Sequence, residues 1–308
     1  MMHSISSGVW PTMVTPYNKD NEIDFSAVER LLEFYRQRGV TGVFAVCQSS
    51  EMFQLSREEK SQLIRHIVSH AGDLQVIVSG HTASSLDEQI SEAMELTVEG
   101  VSAYVILPNR FADADESDDQ LIAKMKAFLS EVPSIPLGIY ECPYPYKRLL
   151  TPKVLYSCVE SDRFLFIKDT CCRVEQIAEK LKIIAGTGIK LFNANSATLL
   201  ESLRMGADGY SGVMANFHPE FYSWLCHSYQ TDLQLAEQVQ QFLGVCSMAE
   251  YQSYPVNAKF ALSLQGVSME IFSRMFDADL FTESQRLEIQ QLVQLSSLAH
   301  DFFQITSH

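Results

Sequence analysis

The sequence predicts a (β/α)₈ TIM barrel with a C-terminal helical extension, and three observations carry that prediction. Eight short apolar runs rich in β-branched and aromatic residues recur through the first 213 residues: "GVWPTMV", "VTGVFAV", "LQVIVSG", "SAYVILP", "IPLGIYE", "FLFIKD", "IKLFNA" and "GADGYSGV". Amphipathic stretches with helix signals separate successive runs. Beyond about residue 217 only helix patterns remain, and no Pro/Gly/Ser-rich linker divides them from what precedes.

The apolar runs are continuous rather than alternating, which is the pattern of parallel strands covered on both faces. Eight such units, each followed by a helix, close into a barrel of ordinary size. An open doubly wound sheet is the alternative, and Gly186-Thr187-Gly188 lends it no support, because a third glycine is missing and the motif falls late in the chain. The expected division is a barrel over 1–217 and a packed helical extension over 218–308.

Helix signals justify the intervening elements in order. Asp24 is a possible N-cap ahead of Val28, Leu31, Leu32 and Tyr35, with Gly39 as the stop. Ser56 and Glu59 form a capping box before Leu63, Ile64, Ile67 and Val68, and Gly72 closes. Ser85 and Glu88 repeat the device before Ile90, Ala93, Met94 and Val98. Leu199, Leu200 and Leu203 form a further face. In the tail, "PEFYSWLCHSY", the stretch near 233–245, "NAKFALSLQG" and a long segment opening at Thr282, with Gln285 as its box partner, all read as helices.

Composition narrows the function. The hydrophobic fraction of 46% and charged fraction of 20% are those of a folded globular chain. No apolar run is long enough to span a membrane. The opening "MMHSISSGVWPTMV" lacks a basic segment followed by an apolar one. A net charge of −15 repels a phosphate backbone, so no nucleic-acid partner is expected. Seven cysteines without a Cys-x-x-Cys pair suit a reduced, cytoplasmic compartment.

In a barrel the working face is the carboxyl end of the strands. Thr12, Thr15, "CQSSE" (47–51), His81, Pro108 to Phe111, Tyr140 and Lys168 end the first six runs. A strand-end lysine ordinarily marks emergence into water. Placed instead among apolar groups, Lys168 loses affinity for its proton, and a neutral amine attacks a ketone to form a Schiff base. Tyr140, ending the neighbouring strand, is positioned to relay protons to the carbinolamine. His66 and His70 stand four apart on the second helix with no third ligand following, and read as an outward-facing pair rather than a metal site. Cys47 and Cys142 read as packing residues, since no histidine partner is identifiable.

"GVWPTMVTPYNKDNEID", "SSEMFQLSREE" (49–59), "IYECP", "FLFIKD" and "GADGYSGVMANFHPE" together resemble the dihydrodipicolinate synthase/N-acetylneuraminate lyase family over most of residues 8–220. The resemblance implies a class I aldolase-type lyase that binds pyruvate or another 2-oxo acid as a lysine Schiff base. It implies no metal and no other cofactor, and a homo-oligomer, dimer or tetramer. Lys168 falls on the Schiff-base lysine, Tyr140 on the proton-relay tyrosine and Ser49 on a hydroxyl residue of the carboxylate loop. Gln48, Arg110, Phe111, Asn193 and Ser211 complete the expected substrate-binding set.

Three departures accompany the resemblance. Gln48 stands where the family's loop has its first threonine. Arg110-Phe111 stands where it has a tyrosine pair. Pro145 stands where its synthases carry an arginine that grips the aldehyde's carboxylate, with Lys147 and Arg148 as nearby cations. The expectation is therefore a lyase or aldolase acting on a sugar-derived 2-oxo acid. The alternatives are a true 4-hydroxy-tetrahydrodipicolinate synthase condensing pyruvate with aspartate semialdehyde, and a non-catalytic 2-oxo acid binding protein.

Overall fold

The computed structural model describes residues 4–132 and 135–305. Among them, eight parallel strands form one sheet: β1 (Gly8–Val9), β2 (Gly42–Ala45), β3 (Gln75–Val78), β4 (Val101–Ile106), β5 (Leu137–Tyr140), β6 (Phe164–Asp169), β7 (Lys190–Asn193) and β8 (Gly209–Tyr210). Consecutive strands pair from β2 through β8, and β8 returns to β1. The last gap closes through backbone bonds from Thr41 N to Val9 O (3.0 Å), Phe44 N to Pro11 O (2.9 Å) and Met13 N to Phe44 O (3.0 Å). At the β1–β8 seam Gly209 has φ +156°, and a Cβ there would sit 1.8 Å from Gly8 O, so only glycine permits this approach.

Helices α1 (Phe25–Arg36), α2 (Arg57–His70), α3 (Leu86–Leu96), the short α4 (Pro108–Phe111) and α5 (Asp118–Glu131) cover the first half of the barrel. α6 (Pro152–Glu160), α7 (Val174–Ile184), α8 (Leu199–Arg204) and α9 (Pro219–Ser228) cover the second, with α9 lying against β1 and β8. α10 (Leu233–Cys246), α11 (Val256–Leu264) and α12 (Glu283–Phe303) follow. Asp24 caps α1, and the boxes at Ser56/Glu59 and Thr282/Gln285 form in full. The expected box at Ser85 forms only by half. Ser85 Oγ accepts from Glu88 N, but Glu88 turns its carboxylate to that same hydroxyl instead of to the cap's backbone N–H.

Inside the barrel, aromatic rings fill the floor. Phe166 stacks on Phe192 with centroids 4.6 Å apart, and Trp10 and Phe44 meet Phe166 edge-on. Gly138 leaves the room Phe166 needs, since a Cβ there would lie 3.2 Å from the Phe166 Cβ. The barrel is thereby packed shut below its mouth. Among the described residues no helix is long and apolar enough to cross a membrane.

Candidate active site

Side chains of a strand alternate between faces, so Phe166 and Lys168 share one face of β6. The aromatic floor at Phe166 therefore places Lys168 directly above it. The β5–β6 register sets Tyr140 opposite Lys168, and the lysine Nζ lies 4.3 Å from the Tyr140 ring centroid and 5.6 Å from that of Phe44. Lys168 is only 3% exposed, and among the described residues no carboxylate forms an ion pair with it. Burial accordingly lowers its pKa from 10.5 to about 8, against the weaker opposing pull of Cys47, Cys142 and Glu250. The Tyr140 phenol is held well above its ordinary range, first by burial and then by the neighbouring Cys142 and Cys47.

These groups line a cavity of about 340 Å³ that Gln48 and Ser49 also border. The Tyr140 hydroxyl donates to Gln48 Oε1 at 3.4 Å, and the Cys142 thiol approaches the same oxygen at 3.4 Å. Burial pushes the Cys142 thiol up to about 11, which keeps it protonated and unreactive near neutrality. The 47–51 loop is tied to the segment after β1 through Ser50. Ser50 Oγ donates to Met13 O at 2.6 Å, and Thr15 Oγ1 donates to Ser50 O at 2.7 Å. Glu51, fully buried at φ +61°, accepts from Lys259 Nζ at 2.8 Å and from the backbone N–H groups of Arg274 and Met275 at 2.6 and 3.0 Å.

Glu51 thereby anchors the extension over the barrel mouth, and the extension supplies cavity residues that the sequence reading missed: Glu250, Tyr251, Tyr254 and Met275. Tyr254 hydrogen-bonds Ser49, and burial raises its phenol. Burial also raises the Glu250 carboxyl, against a lowering pull from Lys168.

Behind the site, on the outer face of the same two strands, Glu141 and Asp169 both receive the Lys180 ammonium from α7. Glu141 also accepts from Leu150 N at 2.7 Å and Thr170 N at 2.8 Å. Each acidic residue directly follows a site residue in sequence, so the network fixes the strand ends that carry Tyr140 and Lys168.

The remaining expected residues lie elsewhere. Asn193 is adjacent to Phe192, the partner of Lys168, and so faces outward with Asp169; its amide binds Thr198 and Ser202. Ser211 is buried beside cavity-lining Gly212 with its hydroxyl unpartnered among the described residues. Phe111 packs on His81 and Phe128 with centroids 4.9 and 5.4 Å away, outside the cavity lining. Arg110 donates to the carbonyls of Thr82 and Ala83. His81 accepts from Leu107 N, and burial lowers it to about 4, so it stays neutral. Of the two candidate cations near Pro145, Arg148 is engaged by Asp118 and the carbonyls of Asp113 and Glu116, while Lys147 borders the cavity.

A parallel barrel holding an unpaired, partly deprotonated lysine beside a phenol at its carboxyl mouth defines the class of imine-forming lyases. The comparisons name the family. The model of the Dihydrodipicolinate synthetase family matches residues 5–294, and the chain belongs to that family. It is an enzyme of the lyase class, whose members work through a lysine Schiff base without a cofactor. The 4-hydroxy-tetrahydrodipicolinate synthase of Chlorobaculum parvum is 24% identical over 302 residues, covering 94% of this chain and 98% of its own. A prophage protein of the same family from E. coli K12, solved in complex with pyruvate, superposes with a TM-score of 0.85 at 20% identity over 96% of this chain and 100% of its own. A catalytic lysine mutant of the Ruminococcus gnavus sialic acid aldolase gives a TM-score of 0.85 at 19% identity over 98% and 100%.

Proposed function

We propose that the protein is an aldolase-type lyase in which Lys168 captures pyruvate, or the 2-oxo group of a larger acid, as a Schiff base. The observation that carries this reading is Lys168 itself, buried above an aromatic floor, unpaired and opposite Tyr140. Its neutral amine adds to the ketone, and the Tyr140 hydroxyl gives and retrieves the proton as water leaves the carbinolamine. Ser49, held by Tyr254, and the Gln48 and Ser49 backbone N–H groups hold the substrate carboxylate. Gln48 takes the Tyr140 hydroxyl bond but has no hydroxyl to pass a proton onward, so the relay in one chain stops there.

Glu250 supports the finer reading of substrate. A carboxylate in the cavity wall repels a second substrate carboxylate, and Pro145 offers no counter-cation. The distal end that fits is hydroxylated, as in a sugar-derived 2-oxo acid, and is either uncharged or reaches Lys147 at the cavity border. Seven unpaired cysteines agree with a reducing compartment such as the cytoplasm. Val245, Met248, Leu292 and Leu295 line one shallow, open, mainly apolar depression between α10 and α12, which supports self-association into a dimer or tetramer that sedimentation measures.

Borohydride reduction in the presence of pyruvate is the test. Irreversible mass addition mapping to Lys168 is the expected result, and trapping on another lysine, or on none with any 2-oxo acid, refutes the imine step. A coupled assay then compares condensation with aspartate semialdehyde against cleavage of hydroxylated 2-oxo acids. Efficient condensation would overturn the substrate reading alone. Capture of 2-oxo acids without turnover of any would favour the binding-protein alternative.

A further inference from the structure

We propose that Glu29, His66 and His70 form a binding site for a zinc-like divalent transition metal on the outer wall of the barrel. The two histidines are one turn apart on α2, their rings stacked with centroids 4.2 Å apart and planes at 27°. The third group, unforeseen in the sequence, arrives from α1. Glu29 Oε1 lies 3.1 Å from His66 Nε2 and 3.5 Å from His70 Nε2, and the three candidate ligand atoms all fall within 4.8 Å of one another. A tetrahedral zinc ion with ligands at about 2.0–2.1 Å separates its ligand atoms by about 3.3–3.4 Å. The two carboxylate–imidazole distances, 3.1 and 3.5 Å, already lie close to that edge, and the two imidazole nitrogens lie within 4.8 Å of each other.

The surroundings prepare both rings. His70 Nδ1 is 2.9 Å from the His66 carbonyl, to which it donates a hydrogen bond; the neutral ring then carries its proton on Nδ1 and its lone pair on Nε2. His66 is held by a hydrogen bond to the Phe25 backbone and by the Phe25 ring, 4.7 Å away. Its Nε2 is buried and makes no aligned hydrogen bond among the described residues; Glu29 Oε1 is the polar atom that faces it, at 3.1 Å. Two imidazoles and one carboxylate suit Zn²⁺, and also Co²⁺, Ni²⁺ or Cu²⁺, over the hard cations that prefer all-oxygen shells. Glu29 and His70 are exposed, so a fourth position opens to water.

The C-terminal half of α2 leads to the start of β3, the end of the barrel away from Lys168. A bound ion would therefore tie α1 to α2 and act on stability, independently of the chemistry proposed for the cavity. The test titrates the full-length protein with Zn²⁺ alone near neutral pH, by calorimetry and thermal melting. One ion per chain at micromolar or tighter affinity, with a raised Tm, is expected. His66→Ala, His70→Ala and Glu29→Gln should each weaken binding by at least the roughly 10- to 100-fold that loss of a ligand's supporting partner costs, while circular dichroism stays unchanged. Co²⁺ serves as the spectroscopic probe: ligand-field bands without thiolate charge transfer place it on imidazole and carboxylate. No binding by the parent protein, undiminished binding by the variants, or a thiolate band from the exposed Cys172 would each overturn the site.

Discussion

The ends of β5 and β6 carry two buried lysine environments on opposite faces of the sheet, and they are opposites. On the inner face Lys168 has aromatic neighbours and no carboxylate partner among the described residues, and burial drives its pKa down to about 8. On the outer face Lys180 is also buried, but the charges of Glu141 and Asp169 outweigh that burial and raise it. Two carboxylates against one ammonium leave an excess of negative charge, and the Glu141 carboxyl is itself raised, by burial and by Asp169. The same side chain thus loses affinity for its proton where no anion faces it, as the proposed nucleophile requires, and keeps it as a brace where two carboxylates share it. Burial alone does not make a reactive lysine; burial without an anion does.

Exchanging each lysine for methionine separates the two roles, and Lys168→Met should have the largest effect. Turnover and borohydride trapping should both vanish. The folded protein should not suffer, because lowering a lysine from 10.5 to about 8 corresponds to roughly 3 kcal/mol of unfavourable interaction with its proton. The sign follows from proton counts. Between pH 8 and 10.5 the unfolded chain holds this proton and the folded chain does not, so stability rises with pH across that window. Below pH 8 the cost is fully present. Lys168→Met should therefore match or exceed the parent in thermal stability at pH 7, and a marked fall in Tm would show that Lys168 is a structural residue. Tyr140→Phe belongs on the same face, with turnover slowed about 10²–10⁴-fold and trapping by borohydride retained.

Lys180→Met should behave in the reverse sense. It leaves two carboxylates buried against each other, which costs about 3–5 kcal/mol when a buried pair loses one member. Denaturant melts measure this, and pyruvate trapping in the surviving folded fraction should still map to position 168. A variant as stable as the parent would mean that Glu141 takes up a proton at little cost. The comparison between the two faces would then fail.

How far the sequence revealed this arrangement follows from the same alternation of faces. "FLFIKD" announces a buried strand, and Phe164, Phe166 and Lys168 fall on one side by period alone, so Lys168 was legible. Tyr140 was legible for the same reason. Asn193 was misplaced by one residue: it ends its strand, as expected, but Phe192 is the register partner of Lys168, and the neighbour must point outward. Phe111 and Arg110 end a strand too, yet the short α4 carries them away from the mouth to pack on Phe128 and bind the 82–83 carbonyls. Glu250 and Tyr254 had no sequence signal. They belong to the helical extension, and long-range contacts such as the buried Glu51–Lys259 pair, joining residues 208 apart, bring that segment over the cavity.

Glu250 supplies the smallest and most discriminating prediction, because it is the one carboxylate among the groups acting on the Lys168 charge. It raises the lysine's pKa, against the larger lowering by burial. Removing the anion in Glu250→Gln should let burial act further, so the lysine loses its proton at lower pH. The reactive form is the neutral amine, and the rate of imine formation in the parent should rise with pH through about 8. The acidic limb of that profile should move down in the variant, while its plateau changes little. The same substitution removes the repulsion proposed against a second carboxylate, so the ratio of kcat/KM for aspartate semialdehyde to that for a hydroxylated partner should rise. The two readouts are independent. A limb that stays in place shows that Glu250 does not act on Lys168 through its charge, whatever it does to the substrate. A limb that moves with an unchanged substrate ratio confines Glu250 to the inner-face lysine and leaves selection of the distal end to Lys147 at the rim.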